Sequence, residues 1–319
     1  MVLFEKIDKD YINKLISFRG GEVKLGECVS SYDDFELFQG KFVVLGVCED
    51  VGPQANLGFA GSVNGFTSFL ARFLNIQSNR FLTGDQVLVY GIFTVNSPEE
   101  IDQKRKVVQE LDNILISHLE EIYEKGFIPI LVGGGHNNAY PLISAFYKVN
   151  SVALNVLNCD PHADYRLLEG RHSGNSFSYA KHEGSLNYYN VLGLHQSYNS
   201  EEMLVRMEKD GCDFTFFDDY IKGSGDLLSD VNRFVLKNKG SRFGVELDMD
   251  AIKGMPSSAY SFSGITVEDA RRYIIRLSEE KQVAYLHLPE GAPLHAREDV
   301  VVGKTLAYLV SDFIKGVAG

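Results

Sequence analysis

The chain has 319 residues, 45% of them hydrophobic, and a formal net charge of −12. That size suits one large α/β domain or two ordinary ones with full cores. The negative balance argues against nucleic acid or an anionic membrane surface as partner, but leaves an anionic small molecule open, because a local pocket can oppose the global sign.

The first residues, MVLFEKIDKD, hold no basic segment followed by an apolar run, so no signal peptide is expected. Residues 1–35 read as an N-terminal extension with one short helix over 8–17, and 36–319 as a single domain. Within it the chain alternates. A strand at 42–48 is followed by a helix at 65–74, a strand at 87–93, and a helix at 98–125 opened by Ser97-Pro98-Glu99-Glu100 and closed by Gly126. Next come a strand at 128–132, a helix at 138–147, strands at 152–158 and 189–194, and a helix at 201–209. The last part gives strands at 213–217, 242–248 and 283–288 with helices at 226–239, 267–279 and 299–315. Such alternation means an α/β fold, a three-layer α/β/α domain around a mainly parallel sheet of about eight strands. No apolar stretch approaches membrane-spanning length. Cys28, Cys48, Cys159 and Cys212 form no CxxC pair and read as reduced thiols of a cytoplasmic protein.

Two acidic clusters carry the chemistry. Asp160-Pro-His162-Ala-Asp164 and Glu246-Leu-Asp248-Met-Asp250 each end an apolar run. On a strand, side chains alternate with period two, so Asp160 and His162, and likewise Asp248 and Asp250, should point the same way. Four carboxylates gathered at strand ends repel one another unless something positive sits between them. The nearest base is Arg166, outside both clusters. Two divalent metal ions answer the problem, and a hydrolase becomes the leading reading. A third motif, Gly133-Gly134-Gly135-His136-Asn137-Asn138, follows the strand at 128–132. It lacks the Lys-Ser/Thr ending of a P-loop, and it puts His136 at the same carboxyl edge of the sheet, where ligands of open α/β sheets bind.

The order Gly-Gly-x-His, Asp-x-His-x-Asp, Asp-x-Asp resembles the ureohydrolase family of arginase, agmatinase and formimidoylglutamase. Gly46-Val-Cys-Glu-Asp50, Asn56-Leu-Gly58-Phe-Ala-Gly61, Arg72 and His172-Ser173-Gly174-Asn175-Ser176-Phe177 extend the similarity from about Phe42 to the C-terminus. The resemblance implies an arginase-like fold and a site for two Mn²⁺ ions. His136 and Asp164 would belong to one ion, His162 and Asp250 to the other, with Asp160 and Asp248 bridging. It also implies a homo-oligomer, trimer or hexamer, acting on a small amidine or guanidino substrate. The implied catalytic residues are Asp164 as proton carrier, His172 as a shuttle at the mouth, and Glu290 as the group gripping the substrate. Asn158, Arg171, Ser173 and Asn175 are the implied substrate contacts. His172 also reads as a solvated loop histidine and Arg171 as a surface arginine. Glu246 reads as a group orienting a metal ligand or as the partner of a nearby base.

Departures from the family point to one branch. Gly135 stands where arginases and agmatinases carry Asp, Lys253 replaces an acid, and Asn175-Ser176 replaces Thr-Pro. The expected reaction is N-formimidoyl-L-glutamate going to L-glutamate and formamide, a step of histidine degradation. The alternatives are arginase, agmatinase or another guanidino-acid hydrolase and, from a different class, a non-catalytic relative that only binds a ligand.

Overall fold

A computed structural model describes residues 1–318. Nine strands form one sheet: β1 (Val2–Lys6), β2 (Phe42–Cys48), β3 (Val87–Val95), β4 (Ile128–Val132), β5 (Leu154–Cys159), β6 (Leu186–Leu194), β7 (Asp213–Phe216), β8 (Phe243–Leu247) and β9 (Val283–Leu288). Their order is β1-β3-β2-β4-β9-β8-β5-β6-β7. Every neighbouring pair is parallel except β1 with β3.

All residues of β2, β4 and β9 are buried, as expected of parallel strands covered on both faces. Alternate side chains feed two cores. Phe42 and Val44 join one, under helices Gly65–Phe73, Leu227–Lys237, Val267–Ser278 and Ala296–Ala318. Val43, Leu45 and Val47 join the other, under helices Ile101–Glu124, Ala139–Asn150, Ser176–His182 and Glu201–Lys209. Among the described residues no helix is long and apolar enough to cross a membrane.

The ninth strand, β1, comes from the first 35 residues. It forms an antiparallel edge in which only Val2 is buried, so its sequence carries little of the alternation that marks an inner strand. β5 begins two residues later than expected because Ser151, in the left-handed region at φ 53°, ends the preceding helix.

The topology places the site. From β4 the chain crosses to β5, builds outward through β6 and β7, then returns to insert β8 and β9 between them. The carboxyl ends of β4, β9, β8 and β5 therefore stand side by side in mid-sheet, where connections diverge to opposite sides and leave a crevice.

Candidate metal centre

His136 enters on the tight turn after β4. Gly134 has φ +69°, the left-handed region that glycine adopts without strain. At Gly135 a Cβ would fall 2.4 Å from Pro53 Cδ and 2.5 Å from Asn137 Oδ1, so the residue that replaces the family's Asp is one the packing requires to be small. The buried Glu49 carboxylate holds the turn, accepting from Gly135 N at 2.8 Å, Gly52 N at 2.8 Å and Asn138 Nδ2 at 3.1 Å.

The two acidic clusters meet His136 from turns rather than from strand pleats, which corrects the period-two expectation. β5 ends at Cys159 and β8 at Leu247. Beyond them Asp160 Oδ1 accepts from His162 N, and Asp248 Oδ1 accepts from Asp250 N, each at 2.7 Å. These local carboxylate-to-backbone bonds are the way Asp shapes a turn. They leave the second oxygen of each aspartate turned toward His136.

Around His136 Nδ1 lie Asp248 Oδ2 at 2.9 Å and Asp160 Oδ2 and Asp164 Oδ2, each at 3.0 Å. Nδ1 is buried, yet it makes no hydrogen bond among the described residues. His162 Nδ1 stands 3.5 Å from Asp160 Oδ1 and 3.7 Å from Asp250 Oδ2. Asp160 thus presents one oxygen to each histidine. A buried, unpartnered imidazole nitrogen ringed by three carboxylate oxygens fits a divalent cation, and the second donor group fits another. All six expected ligand residues come together here.

Electrostatics point the same way. Burial pushes the Asp164, Asp248, Asp250 and Glu290 carboxyls above their usual range, and neighbouring carboxylates add to the shift. Burial alone would lower His162, but Asp160, Asp250 and Asp164 hold it up at about 10. Without a cation, then, the cluster retains protons in its place.

Behind His136, Glu246 is the partner of a nearby base, His287, and stands close to His136 without a hydrogen bond to it. Its Oε2 lies 3.4 Å from His136 Nε2 and 2.6 Å from His287 Nδ1, while Oε1 accepts from Tyr285 OH at 2.6 Å. Burial opposes ionisation of Glu246, yet His287 and His136 hold it at about 2. His287 was missed from sequence. Its β9 position pairs in register with Glu246 on β8, and the adjacency of those two strands is a property of the fold.

A cavity of about 160 Å³ opens above the centre, with His162, Asp164, Asp248, Asp250 and Glu290 in its lining. Asn56, Arg166, Ser173 and Tyr198 also line it. Glu290 sits at φ +67°, a costly conformation for a non-glycine residue. Its Oε1 accepts from His136 N at 2.7 Å, and its buried Oε2 has no partner among the described residues.

Four expected residues are elsewhere. Arg171 is buried at 4% exposure, donating to Asp112 Oδ2, Asn137 O and Asn175 Oδ1, with Tyr140 and Tyr179 against its guanidinium. It does not line the cavity, and it is not a surface arginine. Asn175 spends its amide on Gly170 O, Leu167 O, Arg171 and His172 N. Asn158 lies under the centre, donating to Asp160 Oδ2 and Tyr189 OH. The His172 ring is buried between Glu169 and Gly174 N, and burial pushes it down to about 4. Asn175 and His172 turn onto their own loop, Arg171 onto Asp112 and the two tyrosines, and Asn158 onto Asp160 and Tyr189. Ser173 alone of that loop's expected contacts faces the cavity. Arg171→Ala should therefore act on stability, by about 3–5 kcal/mol in chemical unfolding, since it strands the buried Asp112 charge.

The sequence profile described as the Arginase family matches residues 43–314. A formimidoylglutamase of Staphylococcus aureus is 24% identical over 276 residues, covering 85% of each chain. Formiminoglutamase of Trypanosoma cruzi, solved with Mn²⁺, superposes with a TM-score of 0.73 at 21% identity, over 93% of this chain and 99% of that one. Formimidoylglutamase of Bacillus subtilis superposes with a TM-score of 0.76 at 16% identity, over 95% and 94%. With its motifs, fold and site in agreement with that profile, the chain belongs to the arginase family, hydrolases of carbon–nitrogen bonds in linear amidines.

Proposed function

We propose that this protein is a binuclear manganese hydrolase that converts N-formimidoyl-L-glutamate and water to L-glutamate and formamide. The observation that carries the metal reading is the unpartnered His136 Nδ1 within 3.0 Å of three carboxylate oxygens. His136, Asp160, Asp164 and Asp248 would hold one ion and His162, Asp160, Asp248 and Asp250 the other. When bound, two such ions supply a water of lowered pKa as nucleophile.

This chain's own residues do the rest. Asp164 borders the cavity beside His136, placed to take a proton from the attacking water and pass it to the departing nitrogen. Glu290 turns its unpaired Oε2 to the cationic amidine. Among the described residues Arg166 is the one Lys or Arg in the cavity lining, and with Asn56 and Ser173 it offers donors to carboxylates of the substrate. That arrangement favours an amidine bearing two carboxylates over arginine or agmatine. It also moves the role assigned to Arg171 onto Arg166.

A panel of formimidoylglutamate, arginine, agmatine and guanidinobutyrate, assayed with added Mn²⁺, tests the choice. The highest kcat/KM is expected for formimidoylglutamate. Arg166→Ala should raise its KM roughly tenfold or more with little change in kcat, from the ~1.5–3 kcal/mol of a hydrogen bond between charged groups. Efficient arginine or agmatine hydrolysis with no formamide release would refute the substrate and leave the metal chemistry standing.

A further inference from the structure

The two histidines of the centre are held in different ways. His136 is fully buried with Glu246 behind it. The His162 side chain is 30% exposed, and what backs it is a ring. Tyr198 stacks on His162 with centroids 5.3 Å apart and planes 19° from parallel. His195 stacks on Tyr198 at 4.9 Å and 17°, and Phe217 on His195 at 5.1 Å and 13°. These separations lie in the range of favourable offset stacking. Four rings thus form a column running from the metal centre to the start of helix Phe217–Lys222.

The backbone fixes that column against the loop that carries the ligands. Asn199 Oδ1 accepts from Ala163 N at 2.9 Å, and Asn199 Nδ2 donates to Pro161 O and His195 O, both at 2.9 Å. His195 N donates to Pro161 O at 3.0 Å, and Tyr198 N to His195 O at 3.1 Å. Tyr198 therefore cannot shift far without moving the segment between Asp160 and Asp164. Metal-binding imidazoles ordinarily gain their orientation from a partner outside the metal's own ligands. For His162 that partner is an aromatic face.

We infer that Tyr198 is a positioning residue, fixing the His162 ring in the orientation its metal ion requires. The inference rests on the two-metal reading above. Its test is calorimetric titration of chelator-stripped protein with Mn²⁺, beside thermal melts of each variant. Wild type and Tyr198→Phe should take up two ions with matching affinities. Tyr198→Ala and Tyr198→Leu should bind one ion as wild type does and the other about tenfold more weakly. Leu fills most of the space without an aromatic face, so it separates lost stacking from a cavity if the Ala variant melts early. His195→Leu, one ring further out, should weaken the same ion by less. Two ions bound by Tyr198→Leu with wild-type affinities would overturn the inference, as would equal weakening of both. Wild type taking up fewer than two ions would overturn the two-metal reading itself, and this inference with it.

Discussion

Asp248→Asn is expected to remove at least one metal ion and nearly all activity while making the metal-free protein more stable. Asp248 is buried and gives Oδ2 to the cluster at 2.9 Å from His136 Nδ1. Asn has the same shape and keeps an oxygen to accept from Asp250 N, so the turn after β8 should persist. What it removes is the anion. Loss of an ion should lower kcat/KM by a factor on the order of 10³ or more, because metals bring the pKa of the attacking water from 15.7 to roughly 7. The same change relieves the stripped protein. Burial, then Asp250 and Asp160, push the Asp248 carboxyl well above its ordinary range, so its ionised form opposes folding. Metal analysis, steady-state kinetics and thermal melts after chelation check the three parts. A variant that kept two Mn²⁺ per chain would show that Asp248 is not a ligand.

The parts of the fold read most closely from sequence were those fixed by local patterning. β2, β4 and β9 match their expected limits because strands buried on both faces are near-continuous apolar runs, interrupted in β9 by His287. The six ligand residues were legible for a related reason. Their clusters follow such runs, and a parallel sheet brings strand ends to one edge. The substrate loop was not legible. Whether Arg171 faces solvent, substrate or core depends on Asp112, 59 residues away, and on Tyr140 and Tyr179 from two helices. His172 and Asn175 return their hydrogen bonds to the loop itself while Arg171 reaches neighbouring helices, and sequence spacing encodes neither. Arg166 was in view as the base nearest the acidic clusters, two residues after Asp164. Its place in the cavity lining comes two residues after a turn in which Asp164 takes φ +46°, a conformation Asp tolerates better than most residues but which its type alone does not foretell.

The metal-free protein should melt at lower temperature as pH rises from about 5 to 8, while the Mn²⁺-loaded protein changes much less. The sign follows from where protons sit. Unfolded Asp and Glu titrate near 3.9 and 4.3, and His near 6.5. In the folded, metal-free chain Asp164, Asp248, Asp250 and Glu290 are all raised, and His162 is held at about 10. These groups therefore bind more protons in the folded state than in the unfolded one, so their contribution to stability falls as pH rises through this window. Below about pH 6.5 they are opposed by His172, pushed down to about 4, and by His118, His195 and His287, which burial lowers. Glu246, held at about 2, and Asp160, also lowered, act in the opposite sense. Both are ionised in folded and unfolded chains above about pH 5, so they shape only the acid limb. Metal ions replace the retained protons, so Mn²⁺ affinity rises with pH as the stripped protein weakens. The stabilisation by metal, about 2.7 kcal/mol per site when free Mn²⁺ is about 100 times Kd, should grow across the same range. Melts of chelator-treated and Mn²⁺-loaded protein at pH 5, 6, 7 and 8 measure both curves. Curves that stay parallel over that range would mean the buried carboxylates are not exchanging protons for metal.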